Sequence, residues 1–136
     1  MDWTGPPEDV AAIDALIAAQ FASLCWAPGR DPDWAGFAAG FLPDAPLYPS
    51  ARPARPTSVA AFVERMGGVR ARGLERFDEA VAARSILVFG TVAVAAVECR
   101  VHENGAPAPG TVEMLLLVKD GDWRIAAQAW DKRPAA

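Results

Sequence analysis

One histidine and two cysteines in 136 residues close off several kinds of chemistry at the outset. Cys25 and Cys99 are far apart, with no CxxC pair and no histidine beside either, so neither a zinc site nor a redox motif is signalled. A reducing, cytoplasmic setting is expected. The lone His102 stands next to Glu103 and the turn pair Asn104-Gly105, which reads as a strand edge or surface position. Positive charge is also scarce: 13 lysines and arginines against 17 acidic residues give a net charge of -4, without the electrostatic footprint that draws proteins to phosphate backbones. The arginines between Arg52 and Arg84 are interleaved with acids from Glu64 onward, the pattern of a solvated mixed surface. The opening MDWTGPPEDV lacks the basic start and apolar run of a secretory signal. The longest apolar stretch, Ile86 to Val97, is too short to span a bilayer as a helix and contains Gly90 and Thr91. No nucleic acid, membrane, metal or cofactor is therefore expected as a partner.

What is present is apolar: 52% of the residues are hydrophobic and 22% charged, the balance of a compact globular chain. The length suits one domain over residues 1–136. Pro6-Pro7 followed by Glu8 and Asp9 predicts a helix start and a helix to about Trp26. Its stripe of Val10, Ile13, Leu16, Ile17, Phe21 and Leu24 leaves Asp14, Gln20 and Ser23 outside. Asp31-Pro32 predicts a short second helix to about Gly40, carrying Trp34, Phe37 and Phe41 on one face. Prolines 43, 46, 49, 53 and 56 leave room only for a short extended piece at Leu47-Tyr48, with Asp44 turning the chain before it. Thr57 or Ser58 caps a third helix that presents Val59, Phe62, Val63 and Met66 inward and is expected to stop at Gly67-Gly68.

From Leu74 the pattern changes to strands, at roughly 75–89, 91–102, 111–119 and 122–131, separated by Gly90, Asn104-Gly105 and Asp120-Gly121. Helices first and a meander second imply an α+β domain. Pairing Lys119 with Asp122 across a two-residue turn sets Val118 against Trp123, Leu116 against Ile125, Met114 against Ala127 and Val112 against Ala129. That wholly apolar face is expected to point at the helices. Ala93, Ala95, Val97, Cys99 and Val101 join it from the preceding strand, and so many small side chains opposite Trp and Phe predict a pocket. Leu115, Leu117, Glu113, Gln128 and Trp130 fall on the outer face in this reading. They are expected to form a homodimer contact, with Glu98, Arg100 and Arg124 supplying polar contacts. A one-residue bulge would reverse part of the assignment.

The run Asp31-Pro-Asp-Trp-Ala-Gly-Phe, then Phe41-Leu-Pro-Asp-Ala, Tyr48-Pro, Ser58-Val-Ala-Ala-Phe-Val and Asp120-Gly-Asp-Trp-Arg-Ile-Ala-Ala resembles the nuclear transport factor 2-like superfamily, especially its SnoaL-like members. The likeness runs from about Val10 to Asp131. It implies a cone-shaped, strongly bent antiparallel sheet packed on three N-terminal helices, cystatin-like in class, with a pocket at the wide end. The superfamily includes ketosteroid isomerases, scytalone dehydratase, limonene epoxide hydrolase and polyketide cyclases beside pocket proteins with no known reaction. The isomerases carry a tyrosine in the first helix and a base carboxylate just after the segment matching Leu47-Tyr48. Here the first helix has no tyrosine and Pro49-Ser50 follow Tyr48, and no linked Asp-Arg-Asp set of the epoxide hydrolase kind can be assembled. Asp78 lies in the first long strand, and Asp131 matches a strand-end position that is often polar in relatives.

The candidates that result are Asp131 as an acid or base at the pocket mouth and Tyr48 as a hydrogen-bond donor. The expected pocket is lined by Ile17, Phe21, Trp34, Tyr48, Phe62, Met66, Val97, Cys99, Met114, Ala127, Ala129 and Asp131. An apolar inner face without paired carboxylates or a histidine favours a protein that binds an apolar metabolite. The alternative is a cofactor-independent SnoaL-like isomerase, cyclase or hydrolase working by acid–base chemistry. A third reading is an interaction module that uses the outer sheet face.

Overall fold

The computed structural model describes residues 3–133. Three helices come first: α1 (Pro7–Ser23), α2 (Trp34–Ala39) and α3 (Val59–Ala71), with the two-residue strand β1 (Leu47–Tyr48) between α2 and α3. Four long strands follow, β2 (Phe77–Phe89), β3 (Val92–Glu103), β4 (Ala106–Asp120) and β5 (Asp122–Lys132). They form one sheet in the order β1-β5-β4-β3-β2. The meander is antiparallel, but β1 joins the edge parallel to β5 through Leu47 and Gln128, so the sheet is mixed.

Helix α1 begins after Pro6 with a proline in its first turn and Glu8 and Asp9 behind it, as the sequence predicts. It ends at Ser23 rather than Trp26. Trp26 is instead drawn into an isolated bridge with Phe77, stacks on its ring at 5.0 Å and donates from Nε1 to the Leu74 carbonyl at 2.7 Å. Asp33, not Asp31, caps α2 by accepting from the Gly36 amide. Ser58 caps α3, and that helix runs through Gly67 and Gly68 to Ala71. Glycine in a helix interior costs about 1 kcal/mol relative to alanine, which the contacts of α3 offset here.

Helix α1 packs on β2, β5 and α2 and buries Ile13, Ile17, Phe21 and Leu24 against the inner sheet face. Its first turn is clasped to the β4–β5 hairpin: buried Asp9 accepts from Lys119 Nζ at 2.9 Å and from Trp123 Nε1 at 3.1 Å. The hydrogen bonds from Lys119 and Trp123 hold the Asp9 carboxyl below the usual carboxylate range.

Strand β3 presents Ala93, Ala95, Val97, Cys99 and Val101 inward, as its alternation predicts. Strands β4 and β5 depart from the expected register in two places. Lys119 pairs with Trp123, and Asp120 pairs with Asp122 around Gly121, which has a φ of 73°. This shift of one residue turns Leu115 and Leu117 inward and Met114 and Leu116 outward. Farther along, Leu117 pairs with Ile125 but Leu116 with Ala127, so Ala126 is an extra residue on β5. That bulge reverses the remainder of the strand: Gln128 is buried while Ala129 is exposed. A second irregularity lies between Cys99 and Val101. There Gly110 passes so close to the Cys99 carbonyl that a Cβ would collide with it, a close approach that only glycine permits.

Candidate functional site

The cavity sits where β2–β5 diverge from α3, and has a volume of about 230 Å³. Its walls are Phe21 of α1 and Leu24 at its C-cap, Phe37 of α2, Phe62, Met66 and Val69 of α3, and Phe77, Val101 and Trp130 of the sheet. Phe62 stacks on Phe37 at 5.4 Å and meets Trp130 edge-on at 5.6 Å. Helix α3 supplies these residues from one face because Phe62, Met66 and Val69 recur at spacings of four and three.

Polar side chains gather within this apolar enclosure. Gln20, Glu79, Thr111, Glu113 and Gln128 all line it, and Gln20, Glu113 and Gln128 are each 4% exposed. Gln20 Nε2 donates to Gln128 Oε1 at 2.6 Å, and Gln128 Nε2 donates to Glu113 Oε1 at 2.7 Å. Thr111 Oγ1 donates to Glu79 Oε2 at 2.9 Å. Burial first, and then the negative charge of Glu113, push the Glu79 carboxyl up to about 8. Burial also raises Glu113, opposed by hydrogen bonds from Thr111 and Gln128 that favour its ionised form. Glu79 thus keeps its proton at neutral pH, because two adjacent charges in an apolar site repel and are poorly solvated. Such a pair can hand a proton to a bound molecule and take one from it. Burial raises the Cys25 thiol, and burial together with Glu79 and Glu113 raises Cys99, which disfavours the thiolate at both. Among the described residues no group of three or more His, Cys, Asp or Glu side chains is arranged to hold a metal ion.

The expected pocket residues are dispersed over the structure. Phe21, Phe62 and Met66 line the cavity. Ile17, Val97 and Cys99 lie in the adjoining core, each 2% exposed or less, while Trp34 lines a surface groove between α2 and α3. Tyr48, Met114, Ala127 and Ala129 line a shallow groove on the opposite, outer face of the sheet, and this corrects the expected assignment. Asp131 is also on that side, exposed and accepting from the Lys132 amide; it shares a second outer depression with Tyr48 and Arg52. Asp131 and Tyr48 therefore do not meet the cavity. The expected outer set is corrected as well: Leu115, Leu117 and Gln128 are buried on the inner face, and Trp130 is a cavity wall. His102 and Asp78 are exposed.

The carboxyl pair and its amides escaped the sequence reading, which held the inner face to lack paired acids. Traces of it exist. Gln20 lies three residues after Ile17 and four before Leu24, within the buried stripe, and Glu113 alternates in phase with Leu115 and Leu117. Reading Glu113 as interior required the hairpin register.

No protein-family model matches the chain, and no curated protein matches its sequence. Solved structures do match it in shape. A protein of unknown function with a cystatin-like fold from Nostoc punctiforme superposes with a TM-score of 0.74 at 15% identity, over 99% of this chain and 97% of that one. An NTF2-like protein with a cystatin-like fold from Novosphingobium aromaticivorans gives 0.75 at 16% identity, over 95% and 84%. An NTF2-like protein of unknown function from Pseudomonas putida gives 0.70 at 14% identity, over 89% and 84%. The helices-then-meander order, the short parallel edge strand and these superpositions agree: the chain has the α+β, cystatin-like fold of the NTF2-like proteins.

Proposed function

We propose that this chain binds a small, largely apolar molecule in the cavity and presents Glu79 and Glu113 to its polar end. The observation that carries this reading is two buried carboxyls, Glu79 held by Thr111 and Glu113 by Gln128, inside an enclosure walled largely by aromatic and aliphatic side chains, the composition of a small-molecule site. A second reading adds chemistry: a cofactor-independent isomerase, cyclase or hydrolase in which Glu79 gives the proton and Glu113 receives one. It is favoured by a Glu79 carboxyl raised to about 8 beside a second buried carboxyl, Glu113, that burial also raises, shifts of the kind acid–base work uses. Asp131 and Tyr48 have no part in either reading.

The chain as a homodimer remains part of the proposal, with the contact residues changed. The outer sheet face exposes Leu87, Val94, Met114 and Leu116, each 45–54% accessible, an apolar area that favours a partner. A second copy is the occupant proposed, because Arg100 and Asp131 at the polar end of the same face carry opposite charges and suit a two-fold contact. Free, buried Cys25 and Cys99 agree with a reducing, cytoplasmic setting.

The cavity reading is tested by NMR titration of the protein with 2-phenylethanol. Shifts are expected at Phe62, Val69 and Trp130, lost in Met66→Trp, where an indole occupies the space, and retained in Ala127→Leu. Saturation at a hundredfold excess over Kd stabilises the fold by about 2.7 kcal/mol. Shifts confined to Met114, Ala127 and Ala129, or none at all, refute the cavity reading.

A further inference from the structure

The cavity floor is short of hydrogen-bond donors. Gln128 turns its amide nitrogen toward Glu113 Oε1 and so presents its oxygen to Gln20. Gln20 must then give its own nitrogen to Gln128, and the Gln20–Gln128–Glu113 chain runs in this direction. The end of the chain is Gln20 Oε1, a buried acceptor with no hydrogen-bond partner among the described residues, on a residue 4% exposed that lines the cavity. The Thr111 hydroxyl donates to Glu79, and its single proton is drawn on by both carboxyls. None of the ion pairs among the described residues includes Glu79 or Glu113. A buried acceptor without a donor is costly and rare in folded proteins. Around them stand the rings of Phe21, Phe62, Phe77 and Trp130, whose π faces attract cations.

Resting on the binding reading above, we propose that the molecule taken up is a small apolar amine, bound as its ammonium with the N–H groups directed to Glu79, Glu113 and Gln20 Oε1 and its hydrocarbon part against the aromatic walls. An alcohol of the same shape brings a single donor to this surplus of acceptors, and a carboxylate brings repulsion. Of the charged residues lining the cavity, Glu79, Glu103 and Glu113 are acidic and Lys132, which is exposed, is basic. The titratable groups around the pair are Cys99 on β3 together with Glu103 and Lys132. Glu79 is the member of the pair that carries the proton at neutral pH. Seating an ammonium between the carboxyls favours both as carboxylates, and the Glu79 proton passes to the buffer.

The test is isothermal titration of the intact protein at pH 7 with 2-phenylethylamine, 2-phenylethanol and 3-phenylpropionate, in buffers of different ionisation enthalpy. The amine is expected to bind about tenfold or more tightly than the alcohol, with release of about one proton per amine bound, and the carboxylate to bind least. Within Glu113→Gln the amine should fall to the level at which that same variant binds the alcohol, and Glu79→Gln should abolish proton release. Alcohol binding as tight as amine binding in the unmodified protein, or an amine preference that survives both substitutions, overturns the amine inference and leaves the cavity reading standing. Binding by none of the three overturns both.

Discussion

Gln128 Nε2 lies 2.7 Å from Glu113 Oε1 across the β4–β5 ladder, and the same amide accepts from Gln20 of α1, so one side chain joins the first helix to the carboxyl pair. Replacing it by leucine removes a donor from Glu113 and an acceptor from Gln20 at once. Gln128→Leu is expected to lower stability in urea at pH 7 by about 1–3 kcal/mol, the cost of leaving buried polar groups unmet. It should also move the Glu113 carboxyl further up in a ¹³C titration. A variant as stable as the parent, with an unmoved carboxyl, would show that the amide chain holds nothing in place.

The raised Glu79 carboxyl makes stability depend on pH. In the unfolded chain the group loses its proton near the ordinary 4.5, whereas in the fold it keeps it to about 8. Between those values the native state binds more protons than the unfolded one, so stability is undiminished below 4.5, falls as pH rises toward 8 and levels off above it. The slope from this group is at most about 1.4 kcal/mol per pH unit, with the raised Glu113 adding in the same direction. Urea midpoints from pH 5 to 9 should decline for the parent and decline less for Glu79→Gln, which ends the more stable of the two at pH 9. Parallel profiles would remove Glu79 as their source.

Met114 is 54% exposed and Leu116 45%, on neighbouring parts of the outer face. Met114→Glu and Leu116→Glu should each convert a sedimenting dimer to monomer at micromolar concentration, with far-UV dichroism and the cavity unchanged. Trp130→Glu, which the expected outer placement would have made a dimer mutant, should instead damage the fold and the cavity, since Trp130 packs edge-on against Phe62 at 5.6 Å. A parent protein that is monomeric at high micromolar concentration rules out the dimer.

Local physics alone was enough for much of the fold. Proline and acids at Pro7–Asp9 start α1, Ser58 caps α3, and Gly90, Asn104-Gly105 and Gly121 punctuate the strands. The alternation of β3 sorted its faces correctly, because within one strand each side chain opposes the next regardless of its neighbours. The order of these elements, helices before meander, determined the class of architecture. What tertiary structure decided is which face of β4 and β5 is interior. That depends on a one-residue difference at the Gly121 turn and on the extra Ala126, each of which reverses every side chain beyond it. Met114, Ala127 and Ala129 thereby went outside, and Glu113, Gln128 and Trp130 went in. A strand of alternating apolar residues tolerates either register by composition. The choice was made by contacts remote in sequence: Asp9 on Lys119 and Trp123 at one end, Gln20 on Gln128 at the other. The proton on Glu79 was likewise beyond sequence reading, because it arises from burial and from a second carboxyl brought beside it by folding.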